Sequence, residues 1–242
     1  MTDEIFKIDY KFNLSNGLRK EFSISLKTPS FQLVKRPIKA FPAWTKLGYH
    51  QCPNCPLDPK ENPHCPIAVN LVEVINFFKD YVSSDEAEII ISTKLREFRK
   101  LTSLQEGLSS IIGIYMVSSG CPVVDKLRPM VFTHLPFATT EETMYRAASM
   151  YLLAQYFLLK KGKRPEWELK GLVEIYDNVN KVNHVFHKRL LSINPKDASL
   201  NALFHLNCFA AITTMSIMDD CLEELEGLFH AYLTENSRKS KS

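Results

Sequence analysis

Residues 6–28, FKIDYKFNLSNGLRKEFSISLKT, decide how the chain begins to fold. Apolar and polar side chains alternate over 6–14 and again over 21–28, the period of a strand with one buried face. Between the two runs stands Ser15-Asn16-Gly17, where Asn and Gly tolerate the positive φ of a tight turn, so the stretch reads as a β-hairpin. Residues 88–92 and 95–101 repeat the pattern and predict a second hairpin. Between the hairpins, Ile67, Leu71, Val74, Ile75, Phe78 and Val82 fall at helical spacing behind Pro66, a proline tolerated in a first turn, which predicts a helix over 66–82. Ser103 and Glu106 have the spacing of a capping box and open a second helix that stops at Gly120.

Beyond Pro129 the strand signals end. Three long amphipathic segments follow, over 140–161 behind a Thr139/Glu142 capping box, over 165–193, and over 195–234. Breaks marked by Gly162, Pro165 and Asn194-Pro195 are short, which favours antiparallel packing of neighbours. The expected class is α+β: a small antiparallel sheet of two hairpins packed with two helices, then a C-terminal layer of three long helices. The expected organisation is an α+β region over 1–129 that carries a metal-thiolate site, a helical region over 130–236, and a disordered tail over 237–242, with a boundary within 130–137 if the halves do not share one core.

With 242 residues, 45% of them hydrophobic, the chain is long enough for a substantial core, and 24% charge is ordinary for a globular protein. A formal charge of +3 is too balanced to argue a general affinity for nucleic acid or anionic lipid. The opening residues MTDEIFKIDY lack the basic-then-apolar layout of a signal peptide, and no apolar run is long enough to span a bilayer. The expectation is therefore a cytoplasmic protein with no membrane partner and reduced cysteines.

Four of the six cysteines are followed directly by proline: Cys52, Cys55, Cys65 and Cys121. Their spacing is C-x2-C-x9-C and then a fourth after 55 intervening residues. Helices of about 25 Å and about 24 Å lie between the third and fourth, at 1.5 Å per residue. Run antiparallel, they return Cys121 to the end where Cys65 starts. The expectation is one four-thiolate metal centre, either Zn2+ or a [4Fe–4S] cluster, with His50 and His64 as reserve ligands and haem a weaker third option. Such a centre would also explain what orders the proline-rich segment GYHQCPNCPLDPKENPHCP (48–66). A thioredoxin-like dithiol needs its first cysteine at a helix start after a strand, and Pro53, Pro56 and Pro59 are the wrong context. Cys208 and Cys221 sit among apolar residues and read as core filler.

Other signals have plain readings. His184 and His187, three apart beside Lys188 and Arg189, read as a solvated helix face; so do Asp219, Asp220, Glu223, Glu224 and Glu226. Lys160, Lys161, Lys163 and Arg164 are the one compact basic cluster, with no base-reading motif beside it, which argues against nucleic acid. Met150, Tyr151, Tyr156 and Phe157 cover much of one helix and imply burial on more than one side, hence a second copy or a protein partner on the helical region.

The stretches PAWTKLGYHQCPNCPL, HCPIAVNLVEVINFFKD, SLQEGLSSIIGIYMVSSGCPVVDKLRPM and MYRAASMYLLAQYF together resemble a bacterial family known only as a domain of unknown function, with a CPxCP…CP…GCP pattern, over most of the chain. The resemblance implies a bacterial cytoplasmic origin and a shared cysteine site, and it implies no mechanism. Near the cysteines stand only His50, His64, Asp58, Asp125 and Arg128, too few to name acid, base and binding roles. The function expected is thus a metal-thiolate-centred binding or redox/metal-sensing module that is not an enzyme. The alternatives are an enzyme using a zinc or iron–sulfur centre on a small molecule, and a nucleic-acid-associated regulator.

Overall fold

The computed structural model describes residues 4–34, 40–193, 196–218 and 223–239. Strands β1 (Ile5–Leu14) and β2 (Arg19–Lys27) form the first hairpin, in register from Ile5 opposite Lys27 to Asn13 opposite Arg19. Gly17, at φ +81°, makes the turn and donates its N–H to the Leu14 carbonyl. A two-residue strand, β3 (Gln32–Leu33), adds to the edge of β2. Helix α1 (Pro66–Phe78) leads into β4 (Glu86–Ser92) and β5 (Glu97–Ser103), the second hairpin. β4 pairs antiparallel with β1, giving the sheet order β3-β2-β1-β4-β5. The fold is α+β as the residue pattern implies, although β3 was not anticipated and β5 starts two residues later than expected.

One face of the sheet is buried. Ile8, Tyr10 and Phe12 from β1, Ile24 and Leu26 from β2, and Ile89 and Ile91 from β4 are all at most 1% exposed. Helix α2 (Leu104–Ser118) lies over them. Ser103 stands at its N-cap without a side-chain cap bond, so the expected capping box does not form. The Glu106 carboxylate instead accepts hydrogen bonds from Thr102 and Lys100. A short helix α3 (Pro129–Phe132) then leads to α4 (Thr140–Lys160), where the Thr139/Glu142 capping box is complete. α5 (Lys170–Leu191) and α6 (Asp197–Met218) are the other two long helices. α6 packs on both α5 and α2, and one apolar cluster runs from Ile8 in the sheet to Ala210 in α6.

Two long segments differ from their sequence patterns. α5 begins at Lys170 because Leu169 takes a left-handed conformation, φ +60°, ahead of it. In the last segment the described residues form α6, α7 (Glu223–Glu226) and α8 (His230–Lys239), with a 3-10 turn over Gly227–Phe229 between the last two; α8 takes in residues 237–239 of the expected tail. The expectations placed on Asn194-Pro195, Asp219, Asp220 and Cys221 lie outside the described residues. No described helix is long and apolar enough to cross a membrane.

Candidate functional sites: a thiol-lined cavity and an apolar pocket

The proline-rich segment folds as a sequence of turns held by hydrogen bonds. Cys65 N–H donates to the Thr45 carbonyl, Leu47 N–H to the Pro63 carbonyl, and Cys55 N–H to the Cys52 carbonyl across a turn. Cys65 becomes the N-cap residue of α1, with Pro66 in the first turn. Cys121 follows the left-handed Gly120 at the end of α2. Helices α1 and α2 are in contact, and all four Cys-Pro cysteines line one small cavity of about 20 Å³ together with Leu47, Leu57, Ile67, Val123, Phe186 and Arg189. That volume holds no more than one water.

The thiols are free and largely sequestered, Cys65 and Cys121 buried and Cys52 and Cys55 half-buried. Burial pushes the Cys52 thiol up to about 12, with the neighbouring cysteines adding to the effect and Arg189 opposing it. Burial also raises Cys121, against the backbone N–H groups of Val123 and Val124 that favour its thiolate. Both are neutral thiols at pH 7.

Lining one cavity is not the same as ligating one ion. Among the described residues, no group of three or more His, Cys, Asp or Glu side chains is placed to hold a metal ion. This overturns the reading of a metal-thiolate-centred module and of an enzyme built on a zinc or iron–sulfur centre. The reserve ligands are engaged elsewhere: His64 Nδ1 lies 2.9 Å from Thr45 Oγ1 with its ring against Phe41, and the His50 ring packs on Tyr49.

What ties the segment down is Arg189. It is 2% exposed, and its guanidinium donates to the carbonyls of Trp44, Lys46, Leu47 and His50 at 2.5 to 3.4 Å. The Tyr49 ring stands 5.9 Å away, and Arg189 lies in the last turn of α5, where the helix terminus favours a cation. Asn54 adds two hydrogen bonds to Asn178, and Tyr49 donates to Ser192, all on the α5 side. Residue pattern alone put Arg189 on a solvated face. The signal that was available is the apolar series Leu172, Val179, Val182 and Phe186, whose face continues to Arg189.

A second and larger space lies between α2, the α2–α4 connection, α5 and α6. It is an open pocket of about 280 Å³, close to the lower end of the range typical of small-molecule sites. Ile114, Val117, Leu127, Val131, Phe137 and Leu206 make its walls apolar, and Ser109, Ser110 and Gly113 on α2 are small enough to leave the space. A few polar groups enter it. His134 Nε2 lies 2.9 Å from the hydroxyl of the buried Tyr10, which is also 2.9 Å from Ser110 Oγ. Arg146 donates from Nη2 to the Met130 carbonyl at 2.9 Å, while its buried Nε has no hydrogen-bond partner. Glu106, His205 and Tyr176 complete the titratable lining. Sequence alone marked no residue of this pocket as a binding residue, Glu106 being read only as half of a capping box, because the parts are scattered over five segments and form no site motif.

Burial, helped by the Arg146 charge, pulls His134 down to about 3. The folded protein then holds this imidazole neutral while the unfolded chain protonates it near 6.5. Between those two values the unfolded state binds more protons, so stability is full above about 6.5 and is lost as pH falls toward 3. In urea titrations at pH 7 and pH 4.5, His134→Gln should show a clearly smaller loss of stability between the two pH values than the unaltered chain. Parallel losses would mean that another group governs the acid sensitivity.

These features define an α+β protein with an arginine-tethered thiol cavity just past the C-terminal end of α2 and an apolar pocket along its side. The chain belongs to the family described as Domain of unknown function (DUF6901), whose model matches residues 8–230. No curated protein and no solved structure matched it.

Proposed function

We propose that the protein binds a small amphipathic molecule in the 280 Å³ pocket, apolar over most of its body and ending in a carboxylate or similar oxyanion. The observation that carries this reading is Arg146. Its guanidinium sits in an apolar wall, with one described hydrogen bond to a backbone carbonyl, an unpartnered Nε and no described ion pair to a carboxylate. Desolvation lowers its pKa while Tyr176 and Glu142 oppose the shift without a described ion pair, so an anion entering the pocket would add compensation for the desolvated charge. The acidic side chain in the lining, Glu106, is already paired with Lys100 at 2.8 Å, which leaves the Arg146 cation available to an anion. Neutral His134 and the Ser110 hydroxyl add uncharged polar contacts at the pocket floor. The free thiols support a reducing, cytoplasmic setting.

Titration with 8-anilinonaphthalene-1-sulfonate, an apolar body bearing one sulfonate, tests the proposal. Saturable binding to one site is expected, with competition by decanoate and much weaker competition by decanol. Arg146→Met should weaken the sulfonate probe by about tenfold or more, the scale of a lost charge-assisted hydrogen bond. Equal affinity in the variant, with circular dichroism unchanged, would remove the anion from the proposal.

A further inference from the structure

We infer that two copies of this chain pair antiparallel through the outer face of α4. This helix buries Met144, Ala147, Tyr151 and Gln155 against its own protein. On the opposite side, Tyr145, Ser149, Leu152, Tyr156 and Leu159 recur at spacings of four and three, the 3.5-residue period of a helix–helix seam. Every one of them is exposed, Tyr156 by 44% and Leu159 by 49%, and Leu153 and Phe157 widen the stripe beside them at 54% and 55%. A contiguous apolar strip along a single helix is what a monomer avoids and an interface uses.

Charge identifies the occupant as a second copy and sets its direction. Glu141 and Glu142 stand in the first turn of α4, and Lys160 ends it with Lys161 next in the chain. Parallel pairing would set acid on acid and base on base. Antiparallel pairing about a two-fold axis near residues 150 and 151 sets Glu141 against the partner's Lys160 and Tyr145 against the partner's Tyr156. It also fits the small Ser149 against the partner's Leu152. Each contact occurs twice, as an isologous interface requires. Tyr145 already stacks on Phe229 at 6.3 Å, so the segment leading into α8 borders the strip at its acidic end.

Sedimentation velocity on the full chain should show a species of twice the monomer mass. Leu152→Glu, at a position already in contact with solvent, should give monomer with unchanged circular dichroism. Glu141→Lys alone should weaken the dimer several-fold and Lys160→Glu alone should do the same, while the double exchange restores it, since surface ion pairs contribute modestly but are counted twice here. Three results would overturn the inference: a wild-type chain that stays monomeric, a dimer indifferent to Leu152→Glu, or single charge exchanges without effect as in parallel pairing.

Discussion

Replacing Arg189 with Met should lower the stability of the protein by about 3 to 5 kcal/mol, the cost of stripping the partner from a buried, hydrogen-bonded polar cluster. Four carbonyl oxygens, those of Trp44, Lys46, Leu47 and His50, converge on this one guanidinium. Without it the buried Trp44 and Leu47 carbonyls are left with no donor, and Leu47 lines a cavity that holds no more than one water. Methionine matches the aliphatic stem, so the loss reports the hydrogen bonds more than the packing. Lysine should rescue little, because an ammonium offers three donors at one point where the fork of Arg189 spans four acceptors from two nitrogens. The measurement is urea denaturation of the three proteins, alongside the rate at which a thiol reagent reaches Cys52 and Cys55. In Arg189→Met the 44–55 segment should release from α5 and all four cavity thiols should label faster. A variant within about 0.5 kcal/mol of the parent, with thiols as protected as before, would mean that Asn54, Tyr49 and the turns hold the segment unaided.

The same residue shows where reading the sequence succeeded and where it stopped. The hairpin around Gly17, the first-turn proline of α1 and the complete capping box of α4 were legible because each depends on neighbours within a few residues. The Ser103/Glu106 box has the same spacing and fails. Lys100 and Thr102, brought alongside by β5, capture the Glu106 carboxylate first. The meeting of Cys65 and Cys121 in one cavity followed from two helices of similar length, a short-range argument extended once. The tether of the proline-rich segment did not follow. Cysteine spacing suggested a metal, whereas the structure supplies a cation from residue 189 across more than 130 residues of chain, a separation at which composition and period carry no signal. The apolar pocket is illegible for a related reason, since Ser110, His134 and Arg146 acquire meaning only once α2 has been laid on the sheet.

That placement of α2 depends on Gly107, and Gly107→Val should be the second severe change, at about 2 to 3 kcal/mol from overpacking. A Cβ at this position would run into Ile89 Cδ1 and come within 2.9 Å of Phe12 Cε1. Both neighbours are 0% exposed, in β4 and β1, and neither has space into which to withdraw. Alanine alone gains roughly 1 kcal/mol of helix propensity over glycine, which offsets part of the clash, so the valine exchange, with two further methyl groups and a stiffer χ1, is the sharper test. The consequence should extend beyond stability. Ser109, Ser110 and Gly113 lie within two turns of Gly107 and form the α2 wall of the pocket, while Cys121 follows the end of the same helix. Lifting α2 from the sheet should therefore weaken the sulfonate probe and raise thiol labelling in one variant, although neither site contains residue 107. Gly113→Ala is the control: its added Cβ would meet Leu206 Cδ2 at an ordinary 3.5 Å, so it narrows the pocket without moving the helix. If Gly107→Val reproduced that control, with reduced probe binding but full stability and protected thiols, the sheet contact of α2 would not be what sets the geometry of the two cavities.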